Sequence, residues 1–183
     1  MKKLFKRVAL AMFVVFGLLS LTSCGKYNFY KDWSEAGANI EEENIYEVLT
    51  IEEVQSKREN GDTFIVVVGT SQSYTAVSSI TMLQTQADYL GFAGTVYFVD
   101  STDYLEKQSV RTELIAALGI KEITKSTTAD IIVVTYEKGI VNLDSSNPNC
   151  ELLDFFQSEY SGLSIEAVAF YLFNNELFQP VQE

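Results

Sequence analysis

Three hydroxyl residues, Ser71, Ser73 and Thr75, crowd the stretch that follows the apolar run Phe64 to Val68. Such a cluster is where nucleophilic chemistry would first be sought. A hydroxyl at its ordinary pKa needs an adjacent base before it attacks anything, and the chain contains no histidine. The expected role is therefore structural, with one of these hydroxyls capping a helix that begins near Ser73. The free amides of that helix start would also suit an anionic group.

The two cysteines, Cys24 and Cys150, are the other reactive side chains. Cys150 follows the turn-like Asn147-Pro148-Asn149, and its neighbours Asn149 and Glu151 bring no positive charge to lower a thiol pKa. It is read as a free thiol whose only redox option is a mixed disulfide with another protein. Zinc ligation by the usual Cys and His sets is excluded by the same counts. Glu41-Glu42-Glu43 lacks the alternating spacing of a calcium loop, so a solvated acidic face is expected there. An ion-buffering role survives only as an alternative, and no cofactor is expected.

Positioning these residues falls to an alternation of helices and strands. Thr50-Ile51-Glu52-Glu53 has capping-box spacing, which predicts a helix that Gly61 closes. Phe64 to Val68 is an unbroken apolar, β-branched run, as expected of a parallel strand covered on both faces. Val77, Ile80, Leu83, Ala87 and Leu90 keep near-helical spacing and predict a helix from Ser73 to Leu90, with Gly91 as its stop. A strand follows at Thr95 to Val99, then a helix from Thr102 to Leu118. Ile131 to Tyr136 and Ile140 to Leu143, separated by Glu137-Lys138-Gly139, predict an antiparallel hairpin. Asp144 to Gly162 reads as an insertion with a short helix at Glu151 to Phe156, and a last helix is expected over Leu163 to Leu177. The fold class is α/β: a central mixed sheet of about four strands, order α-β-α-β-α-β-β-α, over residues 47–183.

The N-terminal part reads differently. Lys2, Lys3, Lys6 and Arg7 precede an apolar run from Val8 to Leu19 that is too short for a membrane span of about 20 residues. Leu21-Thr22-Ser23-Cys24 resembles the lipobox of bacterial lipoproteins. That resemblance implies a signal peptide over residues 1–23 and a diacylated Cys24 that anchors the chain to the extracytoplasmic face of a cell membrane. Two acyl chains give stable anchoring where one is marginal. Residues 24–46 read as an acidic tether, though Tyr27, Phe29, Tyr30 and Trp33 are more aromatic than a spacer needs, which leaves open that part of it packs back onto the domain. Removing residues 1–23 takes four of thirteen basic residues and none of the twenty-five acids, moving the formal charge from −12 to −16. Nucleic acid is excluded as a partner, and an anionic lipid surface would repel such a domain. With Cys24 acylated, Cys150 has no partner for an intramolecular disulfide.

The element order over residues 50–143, with the final helix, resembles the thioredoxin fold. The nearest likeness is to thioredoxin-like bacteriocin-transport accessory proteins and other small Gram-positive thioredoxin-like proteins. Gly69 to Ala76 stands where the redox loop of that family falls, while Leu118-Gly119-Ile120 and Tyr136-Glu137-Lys138-Gly139 resemble later landmarks. The family's devices are missing here. No cysteine occurs in Ser71-Gln72-Ser73-Tyr74-Thr75-Ala76, no proline occurs at Thr128 to Ile131, and the first strand has no acid. A non-proline cis bond costs about 2.5–4 kcal/mol, so a trans peptide is expected near Thr128 to Ile131.

These readings converge on a lipid-anchored, non-redox thioredoxin-like domain that is not an enzyme and binds an extracytoplasmic protein or peptide. Loop Ser71, Gln72, Ser73, Tyr74 and Thr75 is the expected contact. The aromatic C-terminal third, with Phe155, Phe156, Tyr160, Phe170, Tyr171, Phe173 and Phe178, supplies the core and a second possible surface. The competing class is an enzyme with a different chemistry, or a single-thiol redox partner acting through Cys150. Replacing Cys24 by alanine is expected to abolish labelled-palmitate incorporation and leave the precursor uncleaved. Undiminished labelling of that variant would remove the lipoprotein reading.

Overall fold

The structure, a computed structural model, describes residues 28–106, 108–121, 131–145 and 165–180. At its centre is β2, Phe64–Gly69, in which every residue is buried. Successive strand side chains point to opposite faces. Ile65 and Val67 accordingly join one apolar core while Phe64, Val66 and Val68 join another. Covering both faces requires helices above and below, and this is how the chain is arranged.

β2 pairs in parallel with β3, Val96–Asp100, and antiparallel with β4, Ile132–Glu137. β1, Tyr46–Val48, adds in parallel to the outer edge of β3, and β5, Ile140–Asp144, closes the hairpin on β4. The mixed sheet has five strands in the order β1-β3-β2-β4-β5. Before β1 stands helix α1, Phe29–Glu35; α2, Ile51–Glu59, links β1 to β2; and α3, Tyr74–Leu90, links β2 to β3. Helices α4, Thr102–Glu106, and α5, Gln108–Leu118, precede β4. α6, Ile165–Asn174, and a 3-10 turn, Glu176–Phe178, follow β5.

One core is built by α1, α3 and α6 against Ile65, Val67, Val96, Phe98 and Val133. The other sets Val54 of α2 and Leu114 and Leu118 of α5 against Phe64, Val66, Val68, Val99 and Val134. The helix ends follow the residues expected to set them. Glu53 N–H donates to Thr50 Oγ1 at 3.2 Å, and the Glu53 carboxylate accepts from Thr50 N–H at 2.8 Å, completing the capping box. Gly91 closes α3 in the left-handed conformation at φ +66°.

The C-terminus of α5 is held from outside the helix. Arg58 Nη1 donates to the Ala116 and Ala117 carbonyls, and the Tyr136 hydroxyl donates to the Leu118 carbonyl at 2.8 Å. A cation on carbonyls that the helix itself leaves unpaired is favourable there. Burial pushes the Tyr136 phenol above its ordinary range, Arg58 acts in the opposite sense and Asp144 adds to the rise, so the phenol stays a donor. Gly119 then turns at φ +65°, and a Cβ there would lie 2.0 Å from Arg58 Nη2.

Two expectations are corrected. The sheet has five strands instead of about four, because Tyr46–Val48 pairs with β3. Of the two courses open to the segment before β1, part of it packs onto the domain: Phe29 and Trp33 are buried, and Trp33 is fully enclosed. Phe29 stacks on Tyr46 at 4.5 Å, and both Phe29 and Trp33 meet Phe98 edge-on. α4 and α5 lie within the helix expected over 102–118, and the one expected over 163–177 is α6 followed by a 3-10 turn. Residues 1–27, 122–130 and 146–164 lie outside the described residues. With them lie Cys24, the signal peptide, the stretch Thr128 to Asp130, most of the insertion, its helix at Glu151 to Phe156, and Cys150.

Gly119 and Gly91 share a left-handed backbone but differ in their surroundings, since a Cβ on Gly91 meets nothing within 4 Å. Replacing Gly91 by alanine should cost about 1 kcal/mol, the lower end of the left-handed penalty. Gly119→Ala should cost roughly 2 kcal/mol or more, because the guanidinium is displaced as well. Urea unfolding of both variants checks this, and equal losses would mean that Arg58 does not cap α5.

Candidate functional site

Side chains that sequence places near one another converge where β2 and β3 end. In mixed and parallel sheets the crevice beyond the carboxyl ends of strands is a common ligand position. Here the Ser101 N–H donates to the Gly69 carbonyl at 2.8 Å, tying the two strand ends together. Thr70 and Ser101, the first residues beyond β2 and β3, are both buried.

The hydroxyls at this end form a directed chain. Thr102 donates through its N–H at 3.0 Å and its hydroxyl at 2.7 Å to one carboxylate oxygen of Asp100. Its proton being committed, the Thr102 hydroxyl accepts from Thr70, whose Oγ1 lies 2.8 Å away. Thr70 Oγ1 in turn accepts from the Gln72 N–H at 3.3 Å. The relay fixes the loop after β2 against the loop after β3. The Asp100 carboxylate serves it as a turn former, bonding the backbone two residues on.

Ser73 caps α3 as expected, its side chain accepting from Ala76 N–H at 3.3 Å and lying 2.9 Å from the Thr75 hydroxyl. The Ser73 N–H donates to the Thr70 carbonyl at 3.2 Å. Ser71 and Gln72 occupy the turn between. The consequence is a loop held by these hydrogen bonds while Tyr74 is 84% exposed. The chain has no histidine to serve these hydroxyls as a base.

Apolar groups close the floor of the loop. A Cβ on Gly69 would sit 3.0 Å from Ile131 Cγ2 and 3.7 Å from Trp33 Cη2, so glycine lets both side chains fold over the end of β2. What remains accessible is the rim: Ser71, Gln72, Tyr74 and Thr75.

Of the expected site residues, the structure brings Ser71, Gln72, Ser73, Tyr74 and Thr75 together at this corner. Cys24 and Cys150 lie outside the described residues. The aromatic C-terminal third divides. Phe173 and Phe178 are buried, with Phe173 packed on Phe92 at 4.6 Å, whereas Phe170 and Leu177 are about half exposed. Thr70, Asp100 and Thr102 were not anticipated. The signal available for them was Asp100-Ser101-Thr102 directly after a β-rich run, an arrangement suited to a side chain that bonds the backbone two residues on.

Among the described residues, no three Asp, Glu, His or Cys side chains gather as a metal-holding group. No helix among them is long and apolar enough to cross a membrane. No protein-family model matches the chain, and no curated protein is significantly similar to it.

Losing the α3 cap has a defined cost. Ser73→Ala is expected to lower unfolding free energy by about 1 kcal/mol, whereas Ser71→Ala should stay within about 0.5 kcal/mol. Chemical denaturation of the two variants separates them, and an unaffected Ser73→Ala protein would contradict the capping assignment.

Proposed function

We propose that this chain is a lipid-anchored extracytoplasmic domain of thioredoxin-like kind, without dithiol chemistry, that binds a protein or peptide partner through the rim of loop 71–75. The observation that carries the reading is a hydrogen-bonded loop that presents one highly exposed aromatic ring. Tyr74 stands 84% exposed immediately after the capping residue of a 17-residue helix. Ordering an interface costs free energy per immobilised side chain, and a loop already fixed by its own hydrogen bonds avoids part of that cost. Tyrosine is also among the residues most enriched at interface centres.

The thioredoxin-like part of the reading is supported by the parallel β2–β3 pair, the antiparallel β4–β5 hairpin and the closing helix α6. Fold alone assigns no function, so the binding role rests on the loop. Loss of chemistry is argued from composition: the loop has no cysteine, and the chain has no histidine. Anchoring rests on the lipobox resemblance at Cys24.

A photo-crosslinking amino acid at position 74, in living cells, tests this directly. Tyr89 at the far end of the same helix, 82% exposed, is the control position. One dominant extracytoplasmic protein captured from position 74 and absent from position 89 is the expected result. Capture that is empty or diffuse at position 74, or identical from both positions, would end the assignment of this loop as the binding surface.

A further inference from the structure

A second feature lies at the opposite end of the parallel strands. Tyr46 is in register with Val96, and Val96 with Ile65, whereas Gly69 and Asp100 mark the loop end. Beside Tyr46 opens a recess of about 670 Å³, within the size range of ligand pockets. Phe29, Tyr30 and Tyr46 contribute aromatic surface to it, and Glu42, Glu43 and Asp88 contribute carboxylates. Among the described residues, no lysine or arginine lines it.

The arrangement narrows the ligand. Carboxylates that converge on a point would hold a metal ion, but no such grouping exists among the described residues. These three instead border a space large enough for an organic group. Asp88 belongs to the last turns of α3, a helix with no basic residue in its last turn. The partial negative charge of that helix end therefore adds to the carboxylates. The phenol of Tyr46 is raised above its ordinary range, first by burial and then by the charge of Asp88, so the acid's field reaches the aromatic wall.

The wall is also preformed. Gln84 donates to Asp88 at 2.8 Å and accepts from Ile45 N–H at 3.4 Å, while the Tyr46 hydroxyl donates to the Ile80 carbonyl at 3.2 Å. Phe29 is stacked on Tyr46 and locked into the core. An ammonium on an alkyl stem suits such a place, since carboxylates and aromatic faces both attract the charge and the stem gains apolar contact.

We propose that this recess binds a lysine side chain of a basic peptide, the ammonium set among Glu42, Glu43 and Asp88 and the stem against Tyr30 and Tyr46. The site is separate from loop 71–75, and its fate does not depend on that reading.

The test is fluorescence anisotropy of a dye-labelled, end-blocked pentalysine with the full chain in non-ionic detergent micelles at about 0.15 M salt, where charges beyond about 8 Å are screened. Saturable binding at one site is expected, weakened at least tenfold by Glu42→Gln with Asp88→Asn. The same loss of charge on the other side of the sheet, Glu59→Gln with Glu113→Gln, should change it less than twofold. Tyr30→Ala, at a residue 36% exposed, should weaken it at least threefold and serves as the second probe if the carboxylate variant unfolds. Equal losses in the two charge variants would reduce the effect to the overall acidic field and overturn the proposal. Absence of saturation, or saturation only when Lys26 is replaced by glutamine, would assign the recess to no ligand or to the chain's own N-terminal segment, and either result also overturns it.

Discussion

Burial of β2 on both faces is the constraint on which the rest of the structure depends. Five consecutive apolar residues, Phe64 to Val68, are each no more than 4% exposed. At roughly 1.5–3 kcal/mol for each large side chain removed from water, their burial is comparable to the whole net stability of a domain, about 5–15 kcal/mol. A strand of this kind cannot face solvent on either side. Helices must cover both faces, strands must flank both edges, and the chain meets the requirement by sending α1, α3 and α6 to one side and α2 and α5 to the other. The parallel neighbour requires a crossover, supplied by α3, while the antiparallel neighbour β4 is extended by a tight hairpin at Lys138 and Gly139.

Once β2 is central, its two ends acquire different chemistry. At the carboxyl end the chain must leave the sheet and start α3, so amides emerge that need acceptors; Thr70 and Ser73 supply them. The neighbouring β3 end has the same need, met by Asp100, and the Thr70–Thr102 contact joins the two solutions. At the amino end, α3 finishes and α1 begins beside β1, so carbonyl-rich helix end, acidic side chains and aromatic rings meet around Tyr46. One end is a hydroxyl network bonded to the Asp100 carboxylate and the other an acidic aromatic recess. The difference follows from which ends of which elements the topology brings together.

Much of this was legible in the sequence, for reasons that can be named. The unbroken run at Phe64 marked a strand buried on both faces, the Thr50–Glu53 spacing marked a capping box, and Gly91 marked a left-handed stop. Each is a local signal whose cause lies within a few residues. The elements that were missed lack such a signal. α1 has seven residues, and its buried face consists of Phe29 and Trp33, four apart, which is too little for a period to emerge. β1 has three residues with exposed Glu47 between two half-buried neighbours. Both are stabilised by tertiary contact, Phe29 and Trp33 against Phe98 and Tyr46 against Phe29, and those contacts join residues far apart in the chain.

The candidate site divides along the same line. Ser73 as a cap was readable because capping is a local hydrogen bond with known residue preferences. The relay through Thr70, Thr102 and Asp100 was not, because it joins loops more than thirty residues apart through a sheet register that no local pattern encodes. That relay bears on function more than the cap does. Catalysis by a hydroxyl requires an acceptor for its proton that the fold has not already used. Here the carboxylate bonded to this network accepts from the Thr102 amide and hydroxyl, and the Thr70 proton is directed to Thr102. The hydrogen bonding at this end of the sheet therefore holds the two loops in one shape.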